Sequence, residues 1–235
     1  MDDQELRRRV LAANLDLVRL GLVIFTWGNA SAIDRERGLM YIKPSGVDYA
    51  RMTPDDIVPV RLADGTVAGG NLRPSSDTPT HLALYRAWSR IGGIVHTHAE
   101  FSTAIAQAGV PIPALGSTHA DYFHGDVPVT RSLTKDEVEG DYEANTGSVI
   151  LERFAKSQLD PIAVPGVLVD QHGPFAWGVT VEQAVMHAGT MEHLAKMFVH
   201  TAAVAPCLRR VPRFLQDKHY QRKHGPKAYY GQKGR

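Results

Sequence analysis

The sequence has little that would cross-link the chain or anchor it in a membrane. Cys207 is the only cysteine in 235 residues, which excludes an intramolecular disulfide. No apolar run approaches the ~20 residues of a membrane span. The opening residues, MDDQELRRR, are charged where a signal peptide needs an apolar stretch. These absences predict a soluble, cytoplasmic protein without a membrane partner.

Strong charge of either sign is also lacking. The formal net charge is +1, so the chain has no overall attraction to nucleic acid or to an anionic membrane, and any anion affinity must be local. With 43% hydrophobic and 22% charged residues, the composition is typical of an ordinary globular domain. We therefore expect residues 1–235 to form a single domain, with no nucleic-acid partner.

Hydrophobic periodicity predicts alternating helices and strands. The first half is predicted to hold a helix over residues 3–20, strands over 22–26 and 39–43, and a strand over 57–62 that Pro59 restricts to a sheet edge. Hydrophobic periodicity and end signals in the rest of the chain predict helices over 78–89, 99–108, 147–158 and 181–205. They also predict strands over 92–98 and 167–170.

The stretch GGIVHTHAE, residues 92–100, carries the clearest chemical signal. His96 and His98 are two apart, which places both imidazoles on one face of a strand. Two imidazoles on one face can share a metal, and a third protein ligand would give the arrangement of a catalytic zinc site. His172 follows the predicted strand 167–170 and is the natural third ligand. The alternative is unrelated histidines at the end of a buried strand.

Three turns have the composition of an anion site. Lys43, Ser45 and Gly46 end a strand with a cation, a hydroxyl and a glycine amide, and residues 74–79, PSSDTP, lead into a helix N-terminus. Gly28 and its neighbours form a third turn that allows close approach of a ligand. Each turn alone is typical of an ordinary loop, and their joint presence favours a phosphate pocket.

Two carboxylates and the C-terminal tail leave alternatives open. Asp77 is a candidate metal ligand, general base or loop cap, and Asp121 is a candidate acid-base group or a turn residue. The residues after Cys207 are rich in Lys, Arg, His and Tyr. A charge run at a terminus is typical of a solvated tail, although tyrosine and histidine within it are also compatible with a functional role.

Seven blocks of sequence resemble the bacterial L-ribulose-5-phosphate 4-epimerases of the class II aldolase/adducin family. They are TWGNASAIDRERG, IKPSGVDY, PSSDTPTH, GGIVHTH, THADYF, PGVLVDQHGPFAWG and KHYQRKHGPKAYYGQ, and together they run nearly end to end. The resemblance implies an α/β fold with a central, largely antiparallel sheet flanked by helices. It also implies a homotetramer with active sites between subunits, in which the tail from about residue 212 to 235 completes a neighbour's site.

The resemblance also implies a role for individual residues. The metal ligands fall on His96, His98 and His172, with the Asp77 carboxylate at a single Zn²⁺ per subunit. The acid-base pair falls on Asp121 and, from the neighbouring subunit's tail, Tyr230, with His219 and Arg222 nearby. The implied phosphate pocket comprises Gly28, Asn29, Lys43, Ser45, Gly46, Ser75 and Ser76. Ser117, where threonine is expected, and the extension 233–235 depart from the family pattern.

These residue types suit the implied reaction. The hydrogen on carbon 4 of a 2-ketopentose 5-phosphate is not alpha to the carbonyl, so simple deprotonation cannot readily invert that centre. Cleavage between carbons 3 and 4, rotation of the aldehyde and re-addition can do so, with zinc acting as Lewis acid. The implied activity is therefore interconversion of L-ribulose 5-phosphate and D-xylulose 5-phosphate.

Two other functions are weighed against the epimerase. A class II aldolase acting on a sugar 1-phosphate such as L-fuculose 1-phosphate would stop at cleavage, but such relatives carry glutamate where this chain has Asp77. An adducin-like assembly module would keep the fold without the metal, which retention of three histidines disfavours. The ligand set also accepts Mn or Co, and the residues do not distinguish arabinose from ascorbate catabolism.

Overall fold

The fold is built on an antiparallel sheet. A computed structural model describes residues 2–205, 207–226 and 228–229. Its strands are β1 (Asn29–Asp34), β2 (Leu39–Ile42), β3 (Val58–Arg61), β4 (Gly93–His96), β5 (Gly166–Val169) and β6 (Gly173–Gly178). Within the described residues they form one sheet in the order β3-β2-β1-β4-β6-β5, and each neighbouring pair is antiparallel. The antiparallel sheet that the resemblance implies is thus confirmed.

Helices surround this sheet. They are α1 (Asp3–Arg19), α2 (Thr78–Ala87), α3 (Glu100–Gln107), α4 (Ser117–Ala120), α5 (Lys135–Glu139), α6 (Tyr142–Lys156), α7 (Val181–Val204) and α8 (Arg213–His224). Helices α1, α3 and α7 contact the sheet and α7 contacts both α1 and α3, while α2 packs against α6. One cluster of buried apolar side chains runs from Leu6 to Ala195. No helix in the described ranges has the length and apolarity needed to cross a membrane.

Most predicted elements are confirmed, with shifted boundaries. The strand predicted over 57–62 forms β3 at the sheet edge, as Pro59 indicates. The strand predicted over 92–98 ends at His96, and the helix predicted over 147–158 begins at Tyr142 because the Asp141 carboxylate accepts a hydrogen bond from the Ala144 amide.

The strand predicted over 22–26 is wrong. Those residues form turns and coil before β1, which begins at Asn29. Phe25 has a φ of +52°, a left-handed conformation that interrupts any strand. Ile24 and Phe25 are 58% and 76% exposed and Leu22 is the one buried residue of the run, so the run lacks the alternating buried face of a strand. Composition alone therefore misled the prediction here.

Candidate metal centre and anion pocket

Three histidines meet at one end of the sheet. His96 is the last residue of β4, His98 lies two residues further along, and His172 precedes β6, which is paired with β4. One ring nitrogen of each lies within 4.8 Å of the others. The Nε2 atoms of His96 and His98 are 3.2 Å apart. The strand pairing thus brings together imidazoles that lie up to 76 residues apart in sequence.

The ring of His96 is fixed from two sides. It stacks on Phe175 of β6 with a centroid distance of 4.1 Å and an interplanar angle of 18°. Its Nδ1 lies 3.0 Å from the carbonyl oxygen of Pro174. A carbonyl can only accept, so Nδ1 carries the proton and Nε2 of the neutral ring presents a lone pair. This is the orientation that a metal ligand requires.

His172 is placed by the tight turn between β5 and β6. Gln171 has a φ of +57°, and the His172 amide donates to the carbonyl of Val169. The next residue must be small, because a Cβ on Gly173 would lie 2.9 Å from the backbone oxygen of Thr97. The turn therefore pins His172 against the segment that carries the other two histidines.

The three rings are held in the neutral form. Burial is the main cause that lowers the pKa of His96 to about 3 and that of His172 to about 3, and neighbouring histidines lower both further. Burial also lowers the pKa of His98, although the Asp77 charge opposes it. Neutral imidazole is the form that binds a metal ion.

The donor set fits a divalent metal such as zinc. Nitrogens bound at roughly 2.0–2.1 Å to a tetrahedral zinc lie about 3.3 Å apart, close to the 3.2 Å between the two Nε2 atoms. His172 also has an outer partner, since its Nδ1 lies 3.2 Å from the Tyr142 hydroxyl. Outer partners of this kind orient ligand histidines in metal sites.

Asp77 lies beside this cluster without joining it. Its carboxylate lines the same cavity as the three histidines and accepts a hydrogen bond of 2.6 Å from the Asn29 side chain. It is not part of the group whose donor atoms lie within 4.8 Å of one another. Its assignment as a metal ligand stays a prediction.

A cavity of about 530 Å³ opens next to the histidines. The predicted anion residues all line it, together with the predicted metal ligands: Gly28, Asn29, Lys43, Ser45, Gly46, Ser75, Ser76, Asp77, His96, His98 and His172. Backbone hydrogen bonds join two of its loops, because the Ser45 amide donates to Arg73 and the Ser75 amide donates to Lys43. Residues far apart in sequence thus form one concave surface.

The pocket and the histidines share a boundary at Asn29 and Gly28. Asn29 pairs with His96 in the β1–β4 register, and its side-chain amide also donates to the Ser75 hydroxyl at 3.0 Å. Gly28 has a φ of +89°, and a Cβ there would lie 2.8 Å from the His96 carbonyl. Any larger residue would push the turn away from the strand that carries His96.

Asp121 lies in a different cluster. It follows α4, is 8% exposed, and its carboxylate accepts hydrogen bonds from Arg222 at 2.7 and 3.0 Å and from His219 at 3.0 Å. Burial raises its pKa, but these hydrogen bonds and the charges of Lys223 and Arg222 outweigh that effect, so the pKa lies below its ordinary value. Asp121 does not line the cavity, and Tyr230 lies outside the described residues.

Sequence reasoning missed several residues of the cavity. Tyr142 and Glu143 line it from the start of α6, and Thr26 lines it from the turn before β1. The signal for the first two was the Asp141 N-cap, which places the helix start five residues earlier than predicted. Tyr49 was missed because it does not line the cavity itself. It contacts two residues that do, Lys43 through its ring and Gly28 through its hydroxyl.

Comparison with known proteins places this site in a family. The Class II Aldolase and Adducin N-terminal domain matches residues 8–199. The L-ribulose-5-phosphate 4-epimerases UlaF of Salmonella paratyphi C and Salmonella choleraesuis are each 56% identical over 230 residues, which is 98% of this chain and 100% of each relative.

Solved structures agree on the fold. An L-fuculose 1-phosphate aldolase is similar with a TM-score of 0.76 and 26% identity, covering 93% of this chain and 95% of that one. YgbL of Klebsiella pneumoniae, described as a putative aldolase/epimerase/decarboxylase, is similar in fold with a TM-score of 0.70 and 21% identity, covering 93% and 99%. The family match spans most of the chain and includes all three histidines. The chain therefore belongs to the class II aldolase and adducin family.

Proposed function

We propose that this chain is a zinc-dependent L-ribulose-5-phosphate 4-epimerase that interconverts L-ribulose 5-phosphate and D-xylulose 5-phosphate in the cytoplasm. The observation that carries the proposal is 56% identity, over the whole length of the relatives, to proteins of that name. The histidine cluster beside a cavity lined by cationic and hydroxyl groups supports it. The proposal treats residues 1–235 as a single catalytic domain that acts in a homotetramer.

His96, His98 and His172 would hold the zinc ion, with the Asp77 carboxylate beside it. When bound, zinc supplies Lewis-acid stabilisation of the negative charge that develops at the substrate carbonyl as the carbon 3–carbon 4 bond breaks. The hydrogen bond from Asn29 fixes the Asp77 carboxylate at the wall shared with the anion pocket.

The anion pocket would bind the substrate phosphate. Lys43 contributes a buried ammonium, while Ser45, Ser75 and Ser76 contribute hydroxyl groups from two joined loops. Held at its phosphate end, the aldehyde fragment can turn about its carbon–carbon bond without leaving the site. Re-addition to the opposite face then gives the epimer. An epimerase therefore keeps the aldehyde fragment bound, whereas an aldolase releases it.

The resemblance gives the acid-base pair as Asp121 and, from the neighbouring subunit's tail, Tyr230; the contacts of Asp121 lead us to place both groups on the same second copy. Cleavage needs a group that removes the proton from the carbon 4 hydroxyl, and re-addition needs a group that returns it on the other side. Asp121 lies with α8 of its own chain, away from the cavity lining. That arrangement supports delivery of Asp121 and the tail together, from one copy to the cavity of its neighbour.

The test is turnover of L-ribulose 5-phosphate with D-xylulose 5-phosphate followed in a coupled assay. We expect activity that a chelator abolishes and that zinc restores. Mn and Co are tested in parallel, because the ligand set also accepts them. Turnover that persists in protein shown to be free of metal would contradict the proposal.

The L-fuculose 1-phosphate aldolase of similar fold supports a second candidate, cleavage of a sugar 1-phosphate. The two activities differ in their products. Accumulation of glycolaldehyde phosphate without xylulose phosphate, or cleavage of L-fuculose 1-phosphate, would favour the aldolase.

A further inference from the structure

Tyr49 is a buried residue that contacts two parts of the anion pocket without lining the cavity itself. It begins a 3₁₀ turn, Tyr49–Arg51, and is only 4% exposed. Its hydroxyl donates to the carbonyl of Gly28 at 2.8 Å and lies 3.2 Å from the carbonyl of Trp27. Its ring lies under the ammonium of Lys43, which is 4.7 Å from the ring centroid. One side chain thus contacts both the cation and the glycine turn.

Lys43 has few other partners for its charge. It is 2% exposed, and its Nζ makes only long contacts with the carbonyls of Pro44 at 3.3 Å and Thr26 at 3.5 Å. Among the described residues it has no carboxylate within salt-bridge distance. Burial lowers the pKa of Lys43, and the charge of Asp48 opposes this effect without cancelling it. A buried cation that no carboxylate of the described residues contacts directly is suited to bind an anionic group of a ligand.

We propose that Tyr49 is a positioning residue for recognition of the substrate phosphate. Its ring holds the Lys43 ammonium at the cavity by a cation–π contact, and its hydroxyl holds the Trp27–Gly28 turn against the same wall. Both actions set the shape of the pocket that the phosphate enters. The inference rests on the proposed function, because it takes the anion to be the phosphate of a sugar substrate.

Two substitutions separate the two actions. Tyr49→Phe removes the hydroxyl and keeps the ring, whereas Tyr49→Leu removes both. Tyr41→Phe is a matched control, because Tyr41 is also buried on the neighbouring strand, also donates its hydroxyl, to Asp3, and also lies under cationic side chains, those of Arg7 and Arg37. Tyr41 does not line the cavity.

The readouts are KM and kcat for L-ribulose 5-phosphate, the inhibition constant of inorganic phosphate, and zinc content. Loss of a desolvated cation–π contact predicts a rise in KM of about tenfold for Tyr49→Leu, and loss of the hydrogen bond a rise of about threefold for Tyr49→Phe. The phosphate inhibition constant is expected to rise in the same order. We expect kcat and zinc content to change by less than about twofold, as for Tyr41→Phe in every readout.

Direct titration of the zinc-loaded protein with inorganic phosphate keeps the two hypotheses apart. If phosphate binds most tightly to wild type, less tightly to Tyr49→Phe and least tightly to Tyr49→Leu, while wild type fails to epimerise, the proposed function fails and the role of Tyr49 stands. If wild type epimerises and Lys43→Met loses phosphate affinity while both Tyr49 variants bind phosphate like Tyr41→Phe, the inference is overturned. An equal fall in kcat and phosphate affinity, together with lost zinc, would also overturn it, since it indicates general structural damage.

Discussion

The histidine and anion cavity and the Asp121 cluster are held together by different forces. In the cavity, His96 is placed by the end of β4, and His172 is placed by the tight turn before β6, which pairs with β4. In the Asp121 cluster, ion pairs join a four-residue helix to α8, in which no residue is buried. The proposed metal and anion sites are thus built on one chain's sheet and the loops beside it. Asp121, one of the proposed proton-transfer groups, pairs with this less deeply anchored helix, an arrangement that suits contact with a second copy.

The largest effect is expected from damage to the cavity itself. His98→Asn removes one of three clustered nitrogens, so we expect loss of most bound zinc and a fall in kcat/KM of at least about a thousandfold. Zinc content measured by plasma mass spectrometry, beside turnover, checks this. His193→Asn is the matched control, because His193 is an exposed histidine on α7 outside the cavity. Normal turnover by metal-free His98→Asn protein would contradict the metal mechanism.

Damage to the Asp121 cluster is expected to spare the metal. Asp121→Asn and Tyr230→Phe remove proton-transfer groups, so we expect full zinc content and a fall in kcat of about a hundredfold for each. Equal loss of zinc in these variants would mean that the two regions do not act separately. The measurement is again zinc content beside kcat.

Mixing variants sharpens the comparison further. If Asp121 serves a neighbour's cavity, tetramers assembled from equal amounts of His98→Asn and Asp121→Asn chains regain about one quarter of wild-type sites. An intact site then takes His98 from an Asp121→Asn chain and Asp121 from a neighbouring His98→Asn chain, and each choice has a probability of about one half. If Asp121 serves its own chain's cavity, no intact site forms and activity stays at the level of the separate variants. Mixing after assembly, without exchange of chains, is the control.

The sequence predicted much of the cavity, because its residues act through local chemistry. A histidine pair after a β-branched strand, glycine and serine turns and a cation at a strand end are visible without a structure. What joins them is not local. The pairing of Asn29 with His96 and the stacking of His96 on Phe175 follow from the sheet order, which residue patterns do not give.

Sequence reasoning failed where tertiary contacts outweigh local propensity. The run at 22–26 has the composition of a strand but forms coil and a turn in which only Leu22 is buried, and β6 was not predicted because Gly173, Pro174 and Gly178 give no strand signal. The helix α8 was missed for a related reason. Its mean hydropathy is low and it buries no residue, so its sequence is typical of a solvated tail.

Acid should loosen the Asp121 cluster before it disturbs the sheet. The pKa of Asp121 in the folded chain lies below its ordinary value of 3.8, so its ion pairs stabilise the docked α8 fully above that value and are lost as the pH falls through the lowered one. As the pH falls below 3.8, we therefore expect the hydrogen-exchange protection of α8 to fall by up to about tenfold more than that of α3. Asp121→Asn should already show weak α8 protection at pH 7. Unchanged α8 protection in that variant would show that other contacts dock the helix.

The smallest effect is expected at Ser117, which departs from the threonine of the family pattern. Ser117 is the first residue of α4, and its carbonyl accepts a hydrogen bond from the Asp121 amide at 2.9 Å. This contact is made by the backbone, so Ser117→Thr keeps it and adds only a methyl group at an exposed position. We therefore expect kcat and KM for L-ribulose 5-phosphate to change by less than about twofold. A larger change in kcat at constant zinc content would mean that the side chain at 117 reaches the reacting groups in the assembled site, and that the Asp121 cluster is more sensitive to packing than its ion pairs indicate.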